Sequence, residues 1–115
     1  MTEAYDIRTL DKAITNVNSD LGIGAVASGM KRYILTVGVT NTNSAEETLT
    51  LYEGDTATGE QTTKLTMQLQ NKDVLFLGDN VSDIDLPLFI IDSEKYLTAK
   101  CATTGARLFV RYYDR

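Results

Sequence analysis

Residues 32–52, RYILTVGVTNTNSAEETLTLY, decide the fold. Their first half alternates: Tyr33, Leu35, Val37 and Val39 fall on one side of an extended chain, and Thr36, Gly38 and Thr40 on the other. That is the period of two with which successive side chains of a strand point to opposite faces. The stretch TNSAEE supplies turn formers, and TLTLY resumes the alternation with Leu49 and Leu51 inward and Thr48 and Thr50 outward. Threonine suits this pattern, because its branched Cβ fits a pleated backbone while its hydroxyl tolerates water. The stretch therefore reads as two paired strands and their loop.

The same signal recurs along the rest of the chain. Leu65, Met67 and Leu69 alternate with Thr66 and Gln68 in Lys64–Leu69, and Asn71-Lys72-Asp73 reads as a tight turn into VLFLGD. Further strands are expected at Leu86–Ile91, at Tyr96–Cys101 with Leu97, Ala99 and Cys101 on one side, and at Arg107–Tyr113. Pro87 cannot donate to a central ladder and belongs at a strand start or on an edge. About seven or eight short strands separated by Gly, Asp, Asn and Ser clusters predict an all-β, single-domain antiparallel β-sandwich or jelly-roll-like barrel. Residues 29–115 form this domain, and residues 1–28 an N-terminal arm. In the arm Ile7, Leu10, Ile14, Val17 and Leu21 recur at spacings of three and four, which fits a short helix. The segment AITNVNS, rich in asparagine and β-branched residues, opposes a helix and favours an extended arm containing one strand.

Composition narrows the function classes. A chain of 115 residues is one domain, long enough to remove roughly 65% of its unfolded surface from water. With 11 Lys plus Arg against 16 Asp plus Glu, the formal charge of -5 opposes phosphate backbones and anionic lipid, so no nucleic-acid or membrane partner is expected. The longest apolar run, Leu86–Ile91, is far below the ~18 residues that span a bilayer, and MTEAYDIRTLDK lacks a secretory pattern. The single cysteine, Cys101, is expected to be a small buried side chain.

Catalytic chemistry finds little support. The absence of histidine removes the commonest general base, the usual nucleophilic triads and most transition-metal sites. The acid pairs Asp83/Asp85 and Asp92/Glu94 read as solvated turn formers. Asp79, Asn80, Asp83 and Asp85 offer oxygen donors for a cation, but without the regular spacing of a calcium loop they read as a surface loop. GIGAVA, residues 22–27, lacks a surrounding strand-helix-strand unit and reads as a connection, and Asn80-Val81-Ser82 is a glycosylation acceptor in form only. No catalytic residue, cofactor or metal ligand is expected, and the chain is not expected to be an enzyme.

The last strand, ARLFVRYYDR, points to partners. With Leu108, Val110 and Tyr112 facing the core, Arg107, Phe109, Arg111, Tyr113 and Arg115 share the other face, a mixture of arginine and aromatic groups typical of protein interfaces. The alternative is that this face packs inside the chain, for example against the arm. A sugar-binding module using Tyr5, Tyr52, Tyr96 and Tyr113 is a rival from another class, weakened by the absence of tryptophan.

GMKRYILTVGVTNTNSAEETLTLYEGD (Gly29–Asp55), VLFLGDN and SEKYLTAKCATTGARLFVRYYD together resemble small structural proteins of tailed bacteriophages. The resemblance lies in a turn at Gly29 and Lys31, a long strand ending at Asn41 and Thr42, and a threonine-rich return with Leu49 and Leu51. It continues in Leu97 with Ala99 and in a late turn at Gly105. It implies a virion component made in the bacterial cytoplasm and best suits a capsid decoration, or cement, protein, several copies of which, often three, tie a shell together. Head-tail connector and tail proteins share such sandwiches. What it implies here is a homo-oligomer, such as a trimer, docked on a major capsid protein or another virion protein. Contacts would come from the arm, through Ile7, Leu10 and Ile14, and from the face of Arg107, Phe109, Arg111, Tyr113 and Arg115.

Overall fold

Alternation becomes two stacked antiparallel sheets in the structure, a computed structural model that describes residues 6–78, 87–103 and 105–115. The strands are β1 (Arg8–Ile14), β2 (Arg32–Asn41), β3 (Glu47–Gly54), β4 (Thr62–Leu69), β5 (Val74–Leu77), β6 (Phe89–Ile91), β7 (Tyr96–Cys101) and β8 (Ala106–Asp114). One sheet has the order β1-β8-β2-β5, with β6 also paired to β2; the other is β4-β3-β7. No helix occurs among the described residues. The expected all-β sandwich is what forms, as stacked sheets. Tyr5, the candidate cation loop, the Asp83/Asp85 pair, the glycosylation acceptor and Leu86 lie outside the described residues.

Between the sheets sit the inward rows that the alternation picks out: Leu49 and Leu51 of β3, Leu97, Ala99 and Cys101 of β7, and Leu108, Val110 and Tyr112 of β8, all buried. Each fully buried Leu or Val side chain contributes about 1.5–3 kcal/mol, so these rows hold the layers together. Cys101 is a free buried thiol, as expected, and burial pushes its pKa up, with the nearby Glu47 charge acting the same way. The expected turn is present too: Lys72 has φ 59°, and the Asp73 N–H reaches the Gln70 carbonyl at 3.1 Å.

Two expectations are corrected. β2 and β3 do not pair with each other; β2 lies beside β8, β5 and β6, and β3 beside β4 and β7. The connection 42–46 is therefore an arch between sheets. Buried polar side chains at its ends explain why. The Asn41 amide, fully buried, donates to the carbonyls of Ala45 and Gln70, both at 2.8 Å, and its Oδ1 accepts the Asn43 N–H at 2.9 Å. Glu47, 1% exposed, accepts the N–H groups of Thr48 at 3.1 Å and Thr103 at 3.0 Å, the Asn43 amide at 3.0 Å, and the Thr103 hydroxyl. Burial pushes this carboxyl up, but the hydrogen bonds from Thr103, Thr48 and Ala102 outweigh it and hold it below the usual carboxylate range.

The second correction is the phase of β2. Its pairing with β8 shifts between Ile34 and Thr36, so Leu35 is an extra residue on a bulge. Ile34, Val37 and Val39 consequently point inward, while Tyr33 turns outward opposite Tyr113. A strict period of two puts Tyr33 on the wrong side.

The first 28 residues also do more than extend. β1 pairs with β8 from Arg8↔Tyr112 to Ile14↔Ala106, which makes it the edge of the larger sheet. The chain then crosses to the smaller sheet and runs along the free edge of β7: Cys101 N–H bonds Thr15 O at 2.9 Å, Ser19 and Ala99 exchange bonds, and Val26 N–H reaches Lys95 O at 2.9 Å. Asn18 fastens the crossing by donating to Gly59 O and Thr98 Oγ1, both at 2.9 Å. The helical spacing of the arm is thus spent in a strand and a connector: Leu10, Ile14 and Leu21 are core, while Val17 is 66% exposed.

Candidate functional site

The outer faces of the two sheets differ in chemistry. On the three-stranded sheet the outward row is Thr48, Thr50 and Tyr52 of β3 with Thr66 and Gln68 of β4, and Lys100 of β7, which bonds Glu60 at 2.9 Å. Short hydroxyl and amide side chains make up most of this row, and Lys100 lies over the Tyr52 ring at 5.9 Å. The five-stranded sheet presents instead a row along β8 of Arg107, Phe109, Arg111 and Tyr113, flanked by Thr9, Asp11 and Ala13 of β1 and by Tyr33, Thr36, Gly38 and Thr40 of β2. Beyond β2 stand Val74 and Phe76 of β5, 58% and 53% exposed.

Aromatic contacts organise this surface. Tyr33 stacks on Tyr113 with centroids 4.9 Å apart and planes 11° from parallel, and Phe76 leans on Phe109 at 6.2 Å. Between the two phenylalanines lies Gly38, and a Cβ built there would come within 2.3 Å of the Phe76 ring. Glycine at 38 therefore lets the Phe76 ring lie across the sheet. The result is a shallow groove of about 250 Å³ lined by Asp11, Gly38, Thr40, Phe76, Arg107 and Phe109.

The cations of the row differ. Arg107 Nε meets Asp11 Oδ1 at 2.7 Å in an exposed pair. Arg111 is half-buried, its Nη1 is buried with no acceptor among the described residues, and its cross-strand neighbours are Thr9 and Thr36. Desolvating a guanidinium nitrogen without an acceptor is unfavourable by about 1–3 kcal/mol or more. By contrast Arg32, 3% exposed, is fully engaged at the end of the core, bidentate to Asp114 at 2.8 and 2.9 Å and stacked over Tyr112.

The expected contact residues are thus sorted by position. Arg107, Phe109, Arg111 and Tyr113 do share one outward face, although Tyr113 is only 4% exposed beneath its stacking partner. Arg115 follows the strand and is held by backbone bonds of 2.8 and 2.9 Å to Lys31. Leu10 and Ile14, 5% and 2% exposed, are core side chains of this chain, because β1 is a strand of the sheet; only Ile7, half-buried, stays near the surface. Nor does the arm cover the face: it pairs edge to edge with β8. The burial of Tyr113 removes one ring from the aromatic set suited to a sugar. Sequence reading passed over Tyr33, Gly38, Val74 and Phe76, although VLFL, an uncharged apolar run in a short strand, carried a signal: both of its faces are apolar.

No protein-family model matches this sequence, and no curated protein matches it. Among solved structures, a chain of the acidic stable capsid structure of the Helicobacter pylori bacteriophage KHP30 has a similar fold, with a TM-score of 0.52 over 98% of this chain and 90% of that one at 13% identity. A pentameric capsid protein from metagenomic phage sequences is a looser match, with a TM-score of 0.35 over 93% of this chain and 59% of that one, also at 13% identity.

Proposed function

We propose that this chain is a nonenzymatic structural protein of a bacteriophage virion, a capsid decoration protein that ties shell subunits together through the outer face of its five-stranded sheet. The observation that carries this reading is the asymmetry of the sandwich. One outer face is mostly threonine and glutamine, with Tyr52 and the Glu60-paired Lys100, while the other gathers arginines, stacked aromatics and the exposed Val74 and Phe76. Arginine and aromatic residues are enriched where proteins meet, and an uncharged apolar edge strand is a surface that proteins usually protect. The fold shared with a chain of the KHP30 capsid supports the setting, since that match runs over nearly all of both chains. The lack of histidine agrees with a role without turnover.

Function on this reading is stabilisation by association. A protein that binds only the assembled shell stabilises it by RT ln(1 + [L]/Kd), about 2.7 kcal/mol per site at a hundredfold excess over Kd. Symmetric copies multiply a modest contact, and a homotrimer fits that use. The test is co-sedimentation of the purified chain with empty shells of the virus that encodes it, together with the melting temperature of those shells. Retention with a raised melting temperature is expected. A chain that stays in the supernatant and leaves the shell transition unmoved refutes the proposal, and retention on connectors or tails alone moves the chain to another part of the particle.

A further inference from the structure

We infer that the groove bordered by Phe76 and Phe109 receives a segment of a different protein that places an apolar side chain against these two rings and a carboxylate on Arg111, which lies beyond Phe109 on the same face. This rests on the reading of that face as the shell-facing surface and specifies its partner. Three observations carry it. The groove, about 250 Å³ and walled by two phenylalanine rings, has room for a side chain of leucine or phenylalanine size. Arg111 stands two residues along β8 from Phe109 on the same face, on the side away from Arg107, so a segment that fills the groove and continues along β8 past Phe109 comes within reach of it. The guanidinium of Arg111 has no ion-pair partner among the described residues, and one of its nitrogens is already out of water. A carboxylate on its remaining donors would offset that desolvation.

Charge selects among occupants. The described residues of this face include two guanidiniums, Arg107 and Arg111, and one carboxylate, Asp11, already 2.7 Å from Arg107. The face is therefore locally positive on a chain of formal charge -5. Packing it on its own copy about a two-fold axis would bring arginines together with no free acid between them, which is unfavourable. A nucleic acid would bring phosphates but nothing apolar for the groove, against the net charge of the whole chain. An acidic, apolar protein segment satisfies both features.

The experiment uses full-length chain bearing Phe76→p-benzoyl-phenylalanine, bound to empty shells of the encoding virus, irradiated, and mapped by mass spectrometry. The expected cross-link is to a shell-protein segment with Asp or Glu within two residues of a large apolar side chain. In parallel, Arg111→Ala should weaken retention on shells about tenfold and Arg111→Glu at least about a hundredfold, with Arg111→Lys between wild type and Arg111→Ala. Thr50→Ala, on the opposite face, should leave retention unchanged. Cross-links to another copy of this chain, to nucleic acid or to a segment without an acid overturn the inference, as does Arg111→Ala binding within twofold of wild type. If wild type binds shells while cross-linking elsewhere, only this inference falls; if wild type does not bind shells at all, the functional reading falls and takes the inference with it.

Discussion

Replacing Glu47 by glutamine tests the polar clamp that turns the 42–46 connection into an arch. The carboxylate is 1% exposed and accepts from two backbone N–H groups, the Asn43 amide and the Thr103 hydroxyl. A glutamine oxygen keeps the Thr48 and Thr103 N–H bonds, but its NH₂ then faces the Asn43 amide, donor to donor. Asn43 also donates to Thr103 Oγ1 at 3.2 Å, so turning it over sacrifices a second bond. Hydrogen bonds to a charged group are worth about 1.5–3 kcal/mol and an unsatisfied buried donor costs about 1–3, so Glu47→Gln should lose about 2–4 kcal/mol. For a domain of this size that is about 8–16 °C in Tm. The pH dependence has a definite sign. The folded pKa of Glu47 lies below its ordinary value, so its contribution is complete above the unfolded pKa of about 4.3 and is lost as pH falls through the folded pKa. Thermal melts followed by circular dichroism from pH 7 to pH 3 should therefore show wild type and variant converging below about pH 4. A variant that melts within 2 °C of wild type at pH 7, or a gap that stays constant to about pH 3, refutes the clamp.

Other substitutions separate core from surface. Leu10→Ala should cost about 2–4 kcal/mol in a chemical denaturation curve, because Leu10 is 5% exposed inside the sandwich; an effect below about 0.5 kcal/mol would mean that β1 is not docked. Gly54→Ala should cost about 2–3 kcal/mol, since the added Cβ meets the Gly59 carbonyl at 2.6 Å. Gly38→Ala meets only the Phe76 ring, which is 53% exposed and can swing away, so its loss should stay below about 1 kcal/mol while the groove closes. The reverse order of these two glycine variants in Tm would overturn the packing described. Cys101, with its pKa raised by burial, should react with a thiol reagent at pH 8 only as fast as the chain opens; immediate labelling of native protein would contradict its place in the core.

Much of the architecture was legible because one face of each strand must leave water, and that requirement writes itself as alternation. It identified Leu49 and Leu51, Leu97, Ala99 and Cys101, and Leu108, Val110 and Tyr112 as inward rows. It failed at Leu35, where an inserted residue reverses the phase while Ile34 and Leu35 are both apolar, so the pattern carries no mark of the shift. At the arm it favoured a strand, and β1 is one, but it did not place Leu10 and Ile14 in the core, because they satisfy a helical spacing of four and a strand spacing of two equally well. Half of the candidate face was legible in β8. The other half came from β2 and β5, which only pairing brings beside it.

By itself, the order of residues determined which segments are strands, which of their faces is apolar, and that Arg107, Phe109 and Arg111 share one side. These are properties of a single chain's backbone period and of the transfer of its side chains from water. Tertiary structure alone decided that β2 and β3 belong to different sheets, that Glu47 and Asn41 are buried, and that Phe76 lies over Gly38 beside Phe109. Those outcomes depend on contacts between residues distant in sequence, where the gain from satisfying a buried carboxylate or seating a ring exists only once the partner strand has arrived.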